Sequence, residues 1–140
     1  MTEQEVLNII NKKFNTSFKL VSDNYSSYDA EEDRYILEIK NRRAYYPTKI
    51  IEIYKMVANY QKSQLLDKVF LYAVSDEKGI YVFNINKNID DIVKLSVTKK
   101  HQPVNTDFGS DKKIIKLTYE LDESMATIIK FKICTTTHIK

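Results

Sequence analysis

The sequence is poor in the residues that usually build disulfides, phosphate loops and metal clusters. It has 1 cysteine, 2 glycines, 2 histidines and no tryptophan in 140 residues. The lone Cys134 excludes an intramolecular disulfide and has no cysteine partner for a metal site. Gly79 and Gly109 are too few for a glycine-rich nucleotide loop. His101 and His138 are too isolated for a zinc site, so we expect both to be surface residues.

Long hydrophobic runs are missing as well. Apolar stretches such as residues 69–74 are far shorter than the roughly 20 residues that a membrane-spanning helix needs. Residues 2–5 are polar and acidic, whereas a secretory leader begins with a basic region followed by an apolar one. Because the chain also has a single cysteine, we expect a protein of a reducing compartment, the cytoplasm.

The sequence does contain enough apolar material for a core. Hydrophobic residues make up 43% of the chain, which has 10 tyrosines and 6 phenylalanines, and charged residues make up 29%. No stretch rich in proline, glycine or serine divides the chain into two parts. We therefore predict one domain over residues 1–140.

The net charge of +3 is small, but the charges are unevenly distributed. Residues 23–38 contain six acidic residues and one basic residue, whereas residues 40–62 contain six basic residues and one acidic residue. Two solvated faces of opposite sign would explain this pattern. A cation site beside a phosphate-binding surface would explain it equally well, so both interpretations stay open at this point.

Two helices are predicted in the first half of the chain. Thr2 and Glu5 have the spacing of a capping box, and apolar residues recur at helical spacing out to Phe14. Pro47 suits the first turn of a second helix, predicted to reach about residue 64. Its predicted apolar stripe consists of Ile50, Ile53, Tyr54, Val57 and Tyr60. Its predicted polar face consists of Thr48, Glu52, Lys55, Asn59 and Lys62.

Six strands are predicted from alternating or short apolar runs. They lie at residues 35–40, 69–74, 80–85, 94–98, 114–121 and 127–133, with an irregular segment at residues 99–111. The second and third are joined by a polar link that ends in Gly79, as a hairpin requires. The order of elements predicts an α/β or α+β fold, a sheet covered by helices.

The strand at residues 35–40 carries the candidate chemistry. Side chains alternate along a strand, so Tyr35, Leu37 and Ile39 form an apolar face while Glu38 and Lys40 project together from the other. Asp29 lies nine positions before Glu38. A hairpin-like return through residues 30–33 would bring the two carboxylates together beside the lysine.

Two carboxylates and a lysine suit the cleavage of phosphodiesters. Hard oxygen ligands bind Mg²⁺, which polarises the phosphate and lowers the pKa of a bound water. An ammonium group can orient that water or neutralise the charge of the transition state. The Glu-x-Lys pattern alone is weak, because exposed strands often carry alternating charges. The register, the upstream Asp29 and the basic residues Arg42, Arg43, Lys55 and Lys62 strengthen it, since such residues could bind the flanking phosphates.

These segments resemble the PD-(D/E)XK nuclease superfamily, and its short phage-type members in particular. The resemblance depends on Asp29 with its neighbours, on residues 36–42 and on the helix predicted at residues 47–64 with Lys55. A Thr-acidic-Phe turn at residues 106–108 is also similar. Tyr28 precedes Asp29 where the superfamily name would expect proline.

The resemblance implies a fold, a cofactor and a set of roles. The fold would be a restriction-endonuclease-like central mixed sheet flanked by helices, and the activity a Mg²⁺- or Mn²⁺-dependent cleavage that leaves 5′-phosphates. Asp29 and Glu38 would be metal ligands and Lys40 the catalytic lysine. Glu5 is a candidate accessory acid from the first helix, although the capping box explains it equally well. If a phage encodes the chain, the protein would act in the host cytoplasm.

The leading hypothesis is an endonuclease that acts on DNA, with structured or branched DNA as one candidate substrate; the choice between DNA and RNA stays open. A symmetric substrate would favour a homodimer. One alternative is a catalytically inactive nuclease fold that only binds nucleic acid. Another is a phage structural or adaptor protein, or a defence inhibitor. In that case Glu38 and Lys40 would be plain surface residues.

Overall fold

The structure is a computed structural model that describes residues 1–23, 26–103 and 113–132. Its helices are α1 (Glu3–Phe14), α2 (Ile53–Leu65) and α3 (Ile85–Ile92). Its strands are β1 (Lys19–Leu20), β2 (Ala30–Glu31), β3 (Tyr35–Asn41), β4 (Thr48–Glu52), β5 (Val69–Ser75), β6 (Gly79–Asn84), β7 (Thr98–Pro103), β8 (Lys113–Asp122) and β9 (Thr127–Lys130).

The central sheet has six strands in the order β1-β2-β3-β5-β6-β9. Strands β3 and β5 are parallel, and every other neighbouring pair in the sheet is antiparallel. A parallel pair needs a long crossover, which β4 and α2 supply here. The predicted α+β class with a mixed central sheet is therefore confirmed.

A second sheet of three antiparallel strands, in the order β4-β8-β7, was not predicted from the sequence. Ile51 of β4 pairs with Tyr119 of β8, and both side chains are buried. They belong to the same hydrophobic cluster as Ile36 and Tyr72 of the central sheet. The second sheet thus packs against the central one through an apolar interface.

The central sheet is covered on both faces. On one face Ile36 joins α2 and the second sheet in the first cluster. On the other, Leu37 and Ile39 pack with Leu7 and Ile10 of α1. Because side chains alternate along β3, its even-numbered and odd-numbered residues enter different cores. The predicted alternation along this strand is confirmed.

Helix α1 forms as predicted. Thr2 Oγ1 accepts a hydrogen bond of 3.1 Å from the Glu5 amide, and the Glu5 carboxylate accepts one from the Thr2 amide, which completes the capping box. At the other end Asn15 adopts a left-handed conformation with φ of 54° and caps the helix through its amide. Both ends are fixed by short-range patterns that the sequence displays.

The prediction of one helix over residues 47–64 was wrong in its first part. Residues 48–52 form strand β4, and α2 begins only at Ile53. The buried residues of α2 are Met56, Asn59 and Ser63, whereas Tyr54 is 82% exposed. The predicted apolar stripe was therefore wrong. The β-branched residues before the helix pair with β8, a partner about 70 positions away that local spacing cannot reveal.

The later strands agree in part with those predicted from the sequence. Those at residues 69–75, 79–84 and 113–122 are confirmed, and the last is confirmed at Thr127–Lys130. The strand predicted at residues 94–98 was wrong, because β7 begins at Thr98 and runs into the segment predicted to be irregular. Helix α3 was missed. Residues 104–112 and 133–140 lie outside the described residues.

No helix in the described part of the chain has the length and apolar character needed to cross a bilayer.

A buried ion pair fixes the end of β5 to β4. Lys49 Nζ lies 2.9 Å from Asp76 Oδ2, and the two side chains are only 4% and 1% exposed. The ammonium also donates to the Tyr46 carbonyl and lies 4.0 Å from the centre of the Tyr81 ring. Asp76 Oδ1 accepts bonds from the amides of the following turn. All these partners offset the cost of burying two charges.

We expect Lys49→Met to lower the free energy of unfolding by about 3–5 kcal/mol, because the Asp76 carboxylate stays buried without a countercharge. Urea denaturation measures the change. Lys100→Met is the matched control, since its pair with Glu120 is 35–40% exposed and should contribute at most about 1 kcal/mol. Equal losses in the two variants would contradict a special role for the buried pair.

Candidate functional site

The site forms where β3 extends beyond its neighbour β2. Strand β2 pairs only with Ile36 and Leu37, so the following residues of β3 have no strand on that side. Asp29 precedes β2, and its amide donates a 2.8 Å bond to the Leu37 carbonyl. Its Oδ2 accepts a 2.7 Å bond from the Ile39 amide. The Asp29 carboxylate therefore accepts the hydrogen bond that a backbone carbonyl of a longer β2 would accept, and it lies at the sheet edge.

Asp29, Glu38 and Lys40 line one cleft, as the sequence predicted. The Lys40 Nζ lies 3.8 Å from Glu38 Oε2. The cleft has a volume of about 400 Å³, and its remaining lining comes from Glu3, Ser26, Ser27, Ile39, Tyr54, Lys55 and Ala58. Asp29 lies on the same side of the sheet edge as the other two, so the hairpin-like return is confirmed.

Glu38 is a buried acid with few compensating charges. Its residue exposure is 5%, and burial is the main cause that raises its pKa above the ordinary value. The nearby Lys40 ammonium opposes this shift and the Asp29 carboxylate adds to it; Lys55 and Glu52 have smaller effects of opposite sign. A carboxylate that is costly to ionise, beside a lysine in a cleft, is typical of functional sites.

Asn59 is part of the site although sequence reasoning placed it on the polar face of its helix. It is fully buried, and its Nδ2 lies 3.2 Å from Glu38 Oε1 and 3.1 Å from the Ser27 carbonyl. The sequence offered a weak signal: Met56, Asn59 and Ser63 recur at helical spacing, but Asn59 and Ser63 are polar, and Asn59 was assigned to the polar face.

Of the two roles expected for Glu5, accessory acid and capping residue, the structure shows the capping role, and the acidic residue of α1 that lines the cleft is Glu3. Glu5 is exposed and its carboxylate serves the capping box. Glu3 lines the cleft, and its pKa is raised by partial burial and by the Asp29 carboxylate, against the lowering effect of Lys40. The capping box was visible in the sequence and indicated that the Glu5 carboxylate is engaged at the helix terminus.

The four predicted phosphate-binding residues are not all together. Lys55 lines the cleft, with a 47% exposed side chain whose Nζ is 3.9 Å from Glu52 Oε2. Arg42 lies beyond the end of β3 and lines a separate groove. Arg43 and Lys62 are exposed and line neither of these two cavities. Only Lys55 joins the three central residues in one cleft.

The donor atoms of the cleft suit a hard divalent cation. Mg²⁺ in proteins is commonly bound by one or two carboxylates, with waters and substrate phosphates completing its octahedron. Asp29 and Glu38 supply two such carboxylates, and the second oxygen of Glu38, Oε2, is turned toward Lys40. Within the described residues no group of three or more His, Cys, Asp or Glu side chains is arranged to hold a metal. Two carboxylates would leave the remaining coordination positions of such an ion to waters and substrate phosphates.

The remaining candidate residues of the sequence lie outside the described part of the chain or are described only in their backbone. Cys134, His138 and the turn at residues 106–108 lie outside the described residues, and only the backbone of His101 is described. No family model matches the chain, and no curated protein is significantly similar to it.

We expect Glu38→Gln to stabilise the protein at neutral pH by about 0.5–2 kcal/mol, because it removes a charge that burial disfavours. Since the folded pKa of Glu38 is raised, its contribution to stability is present below the ordinary value of 4.5 and lost as the pH rises through the raised value. The gain should therefore disappear below pH 4.5. Urea denaturation at both pH values measures it.

Glu120→Gln is the control for this experiment, since the Glu120 side chain is 40% exposed. It should give no gain at neutral pH. A Glu38→Gln variant that is less stable than the wild type at neutral pH would contradict the burial argument.

Proposed function

We propose that the chain is a metal-dependent endonuclease that hydrolyses phosphodiester bonds in DNA and leaves 5′-phosphates. The single observation that carries the proposal is the cleft in which Asp29, Glu38 and Lys40 meet at the open edge of β3. Phosphodiester hydrolysis needs acidic ligands and a cation on one accessible surface. The resemblance of the sequence to PD-(D/E)XK nucleases agrees with this arrangement.

Asp29 and Glu38 would hold the metal. When bound, Mg²⁺ polarises the scissile phosphate and lowers the pKa of a water. Asp29 is suited to this role because the Ile39 amide fixes one of its oxygens at 2.7 Å and thereby orients the other. Glu38 is suited to it because burial on β3 limits the rotation of its side chain. Glu3, at the rim of the cleft, would add an outer acid that can accept a hydrogen bond from water.

Lys40 would act on the reacting atoms. Its side chain is 35% exposed, and its ammonium is 3.8 Å from Glu38 Oε2, so it reaches the cleft without being locked into a short ion pair. From there it can orient the attacking water or neutralise charge that develops on the phosphate. The interaction gains strength as substrate displaces water from the cleft.

Lys55 would bind a phosphate next to the scissile one. Its pair with Glu52 is long and nearly half exposed, so a phosphate can compete for the ammonium at little cost. Arg42 and Arg43 would extend the contact along the backbone beyond the end of β3. Symmetric cleavage of both DNA strands would require two such sites, and hence a homodimer.

Supercoiled plasmid incubated with Mg²⁺ or Mn²⁺ should be nicked and linearised, and Asp29→Ala and Glu38→Ala should abolish the cleavage. Lys40→Met should lower kcat about 100-fold or more while Mn²⁺ binding, measured by calorimetry, stays close to that of the wild type. Gel analysis of the products and end-labelling measure the rates and the 5′ ends. The prediction for Lys40 rests on its action in the transition state and not on metal binding.

Lys87→Met is the matched control for Lys40→Met, because Lys87 is an exposed lysine of α3 that does not line the cleft. It should leave kcat unchanged. DNA binding without cleavage by the wild type, under any of these metals, would favour the inactive binding module over the nuclease. Cleavage of an RNA panel and not of DNA would overturn the substrate assignment alone.

We expect Lys55→Ala to weaken DNA binding to a similar degree for all sequences and to reduce the slope of log K against log salt by about 1, because one phosphate contact is lost. Fluorescence anisotropy without divalent metal, over a salt series, measures both quantities. Lys87→Ala is the control and should leave the slope unchanged. A slope unaffected by Lys55→Ala would remove this residue from the interface.

A further inference from the structure

We propose that Asn59 is a positioning residue that fixes Glu38 and the loop before Asp29 to the same point of α2. Its place in catalysis rests on the proposed nuclease function, whereas its effect on the geometry of the cleft does not. Asn59 lies in the middle of the helix that covers β3, and none of its atoms is exposed.

One amide group binds both segments that carry the acids. Asn59 Nδ2 is 3.1 Å from the Ser27 carbonyl and 3.2 Å from Glu38 Oε1. The Ser27 carbonyl and the ionised Glu38 carboxylate can only accept, and a side-chain amide has two hydrogens to donate, so its nitrogen faces both. Ser27 lies two residues before Asp29, which itself is bound to the Ile39 amide. Asn59 therefore closes a chain of contacts around the cleft.

The other end of the amide shows that this arrangement is unfavourable for Asn59 itself. Its Oδ1 is buried and has no hydrogen-bond partner in the described part of the chain. Buried polar atoms are normally paired, because burial without a partner forfeits their hydration. An apolar residue would avoid this cost at the same position. What asparagine supplies there is the pair of donated hydrogen bonds.

The consequence for the cleft lies in the two oxygens of Glu38. Asn59 engages Oε1 from the helix side, and Oε2 is left on the side of Lys40, 3.8 Å from its ammonium. The carboxylate is thereby turned so that its second oxygen lies beside the Lys40 ammonium. Outer contacts of this kind orient metal ligands and typically change affinity by 10–100-fold when removed.

The test compares Asn59→Leu and Asn59→Ala with the wild type. Both substitutions remove the donated bonds without adding a charge or a metal ligand; Asn59→Leu keeps the approximate size of the side chain, and Asn59→Ala serves if Asn59→Leu does not fold. We expect the dissociation constant for Mn²⁺ by calorimetry to rise about tenfold or more. We expect kcat on plasmid DNA to fall with a smaller change in KM, since DNA contacts such as Lys55 are untouched.

A second measurement does not depend on metal or on activity. Hydrogen exchange of the Ile39 amide, followed by NMR, reports how firmly Asp29 is held, and release of Ser27 should accelerate it. The Phe70 amide, which donates a 2.9 Å bond to Asn86 Oδ1 in the same sheet, is the internal reference and should be unaffected. Faster exchange at both amides would indicate general destabilisation and would overturn the proposal.

Ser63→Ala is the matched control. Ser63 is fully buried on α2 about one turn after Asn59, and it binds Tyr60 and Asn86 but no residue of the cleft. It should leave Mn²⁺ affinity, the kcat to KM ratio and Ile39 exchange unchanged. Unchanged Ile39 exchange and Mn²⁺ affinity in both Asn59 variants would overturn the positioning role. Faster Ile39 exchange in a protein that cleaves no nucleic acid would support that role and reject the nuclease.

Discussion

The hydrogen bond from the Ile39 amide to Asp29 Oδ2 is the interaction on which the geometry of the cleft depends. An unpaired amide at a sheet edge must find water or another acceptor. Strand β2 forms only two residue pairs with β3, so the ladder offers no backbone acceptor to the Ile39 amide. The Asp29 carboxylate accepts that hydrogen bond instead. The same contact leaves the edge of β3 open beyond this point. Backbone pairing thus brings an acid beside Glu38 and keeps the surface accessible.

Around this contact the cleft combines groups that oppose one another electrostatically. Glu38 is buried near Asp29, and both effects raise the pKa of Glu38, while Lys40 and Lys55 lower it. Asn59 adds a donated hydrogen bond, which favours the ionised form. A core of apolar residues would be more stable at this position. The arrangement therefore lowers stability, a cost that the function proposed above would explain.

The sequence was informative where contacts are local and uninformative where they are distant. The capping box of α1 and the alternation along β3 are readable because each depends on residues at most four positions apart. Strand β4 was misread because its partner β8 is remote in sequence. Because of that error, the wrong face of α2 was expected to be buried, and Asn59 was not recognised as a residue of the site. Helix α3 was missed although Ile85, Ile89 and Ile92 recur at helical spacing, because Ile85 also ends an apolar run typical of a strand.

The insertion of β4 between β3 and α2 determines where the helix begins and hence where Lys55 lies. Glu52 ends β4 and occupies the N-cap position of α2 without a side-chain capping bond, so Lys55 falls in the first helical turn and lines the cleft. Glu52 is also 3.8 Å from Lys116 of β8. Partly exposed pairs at this distance contribute little to stability. The position of Lys55 therefore follows from the pairing of β4 with β8 and from the burial of Ile51, and the ion pairs only orient side chains that the ladder has already placed.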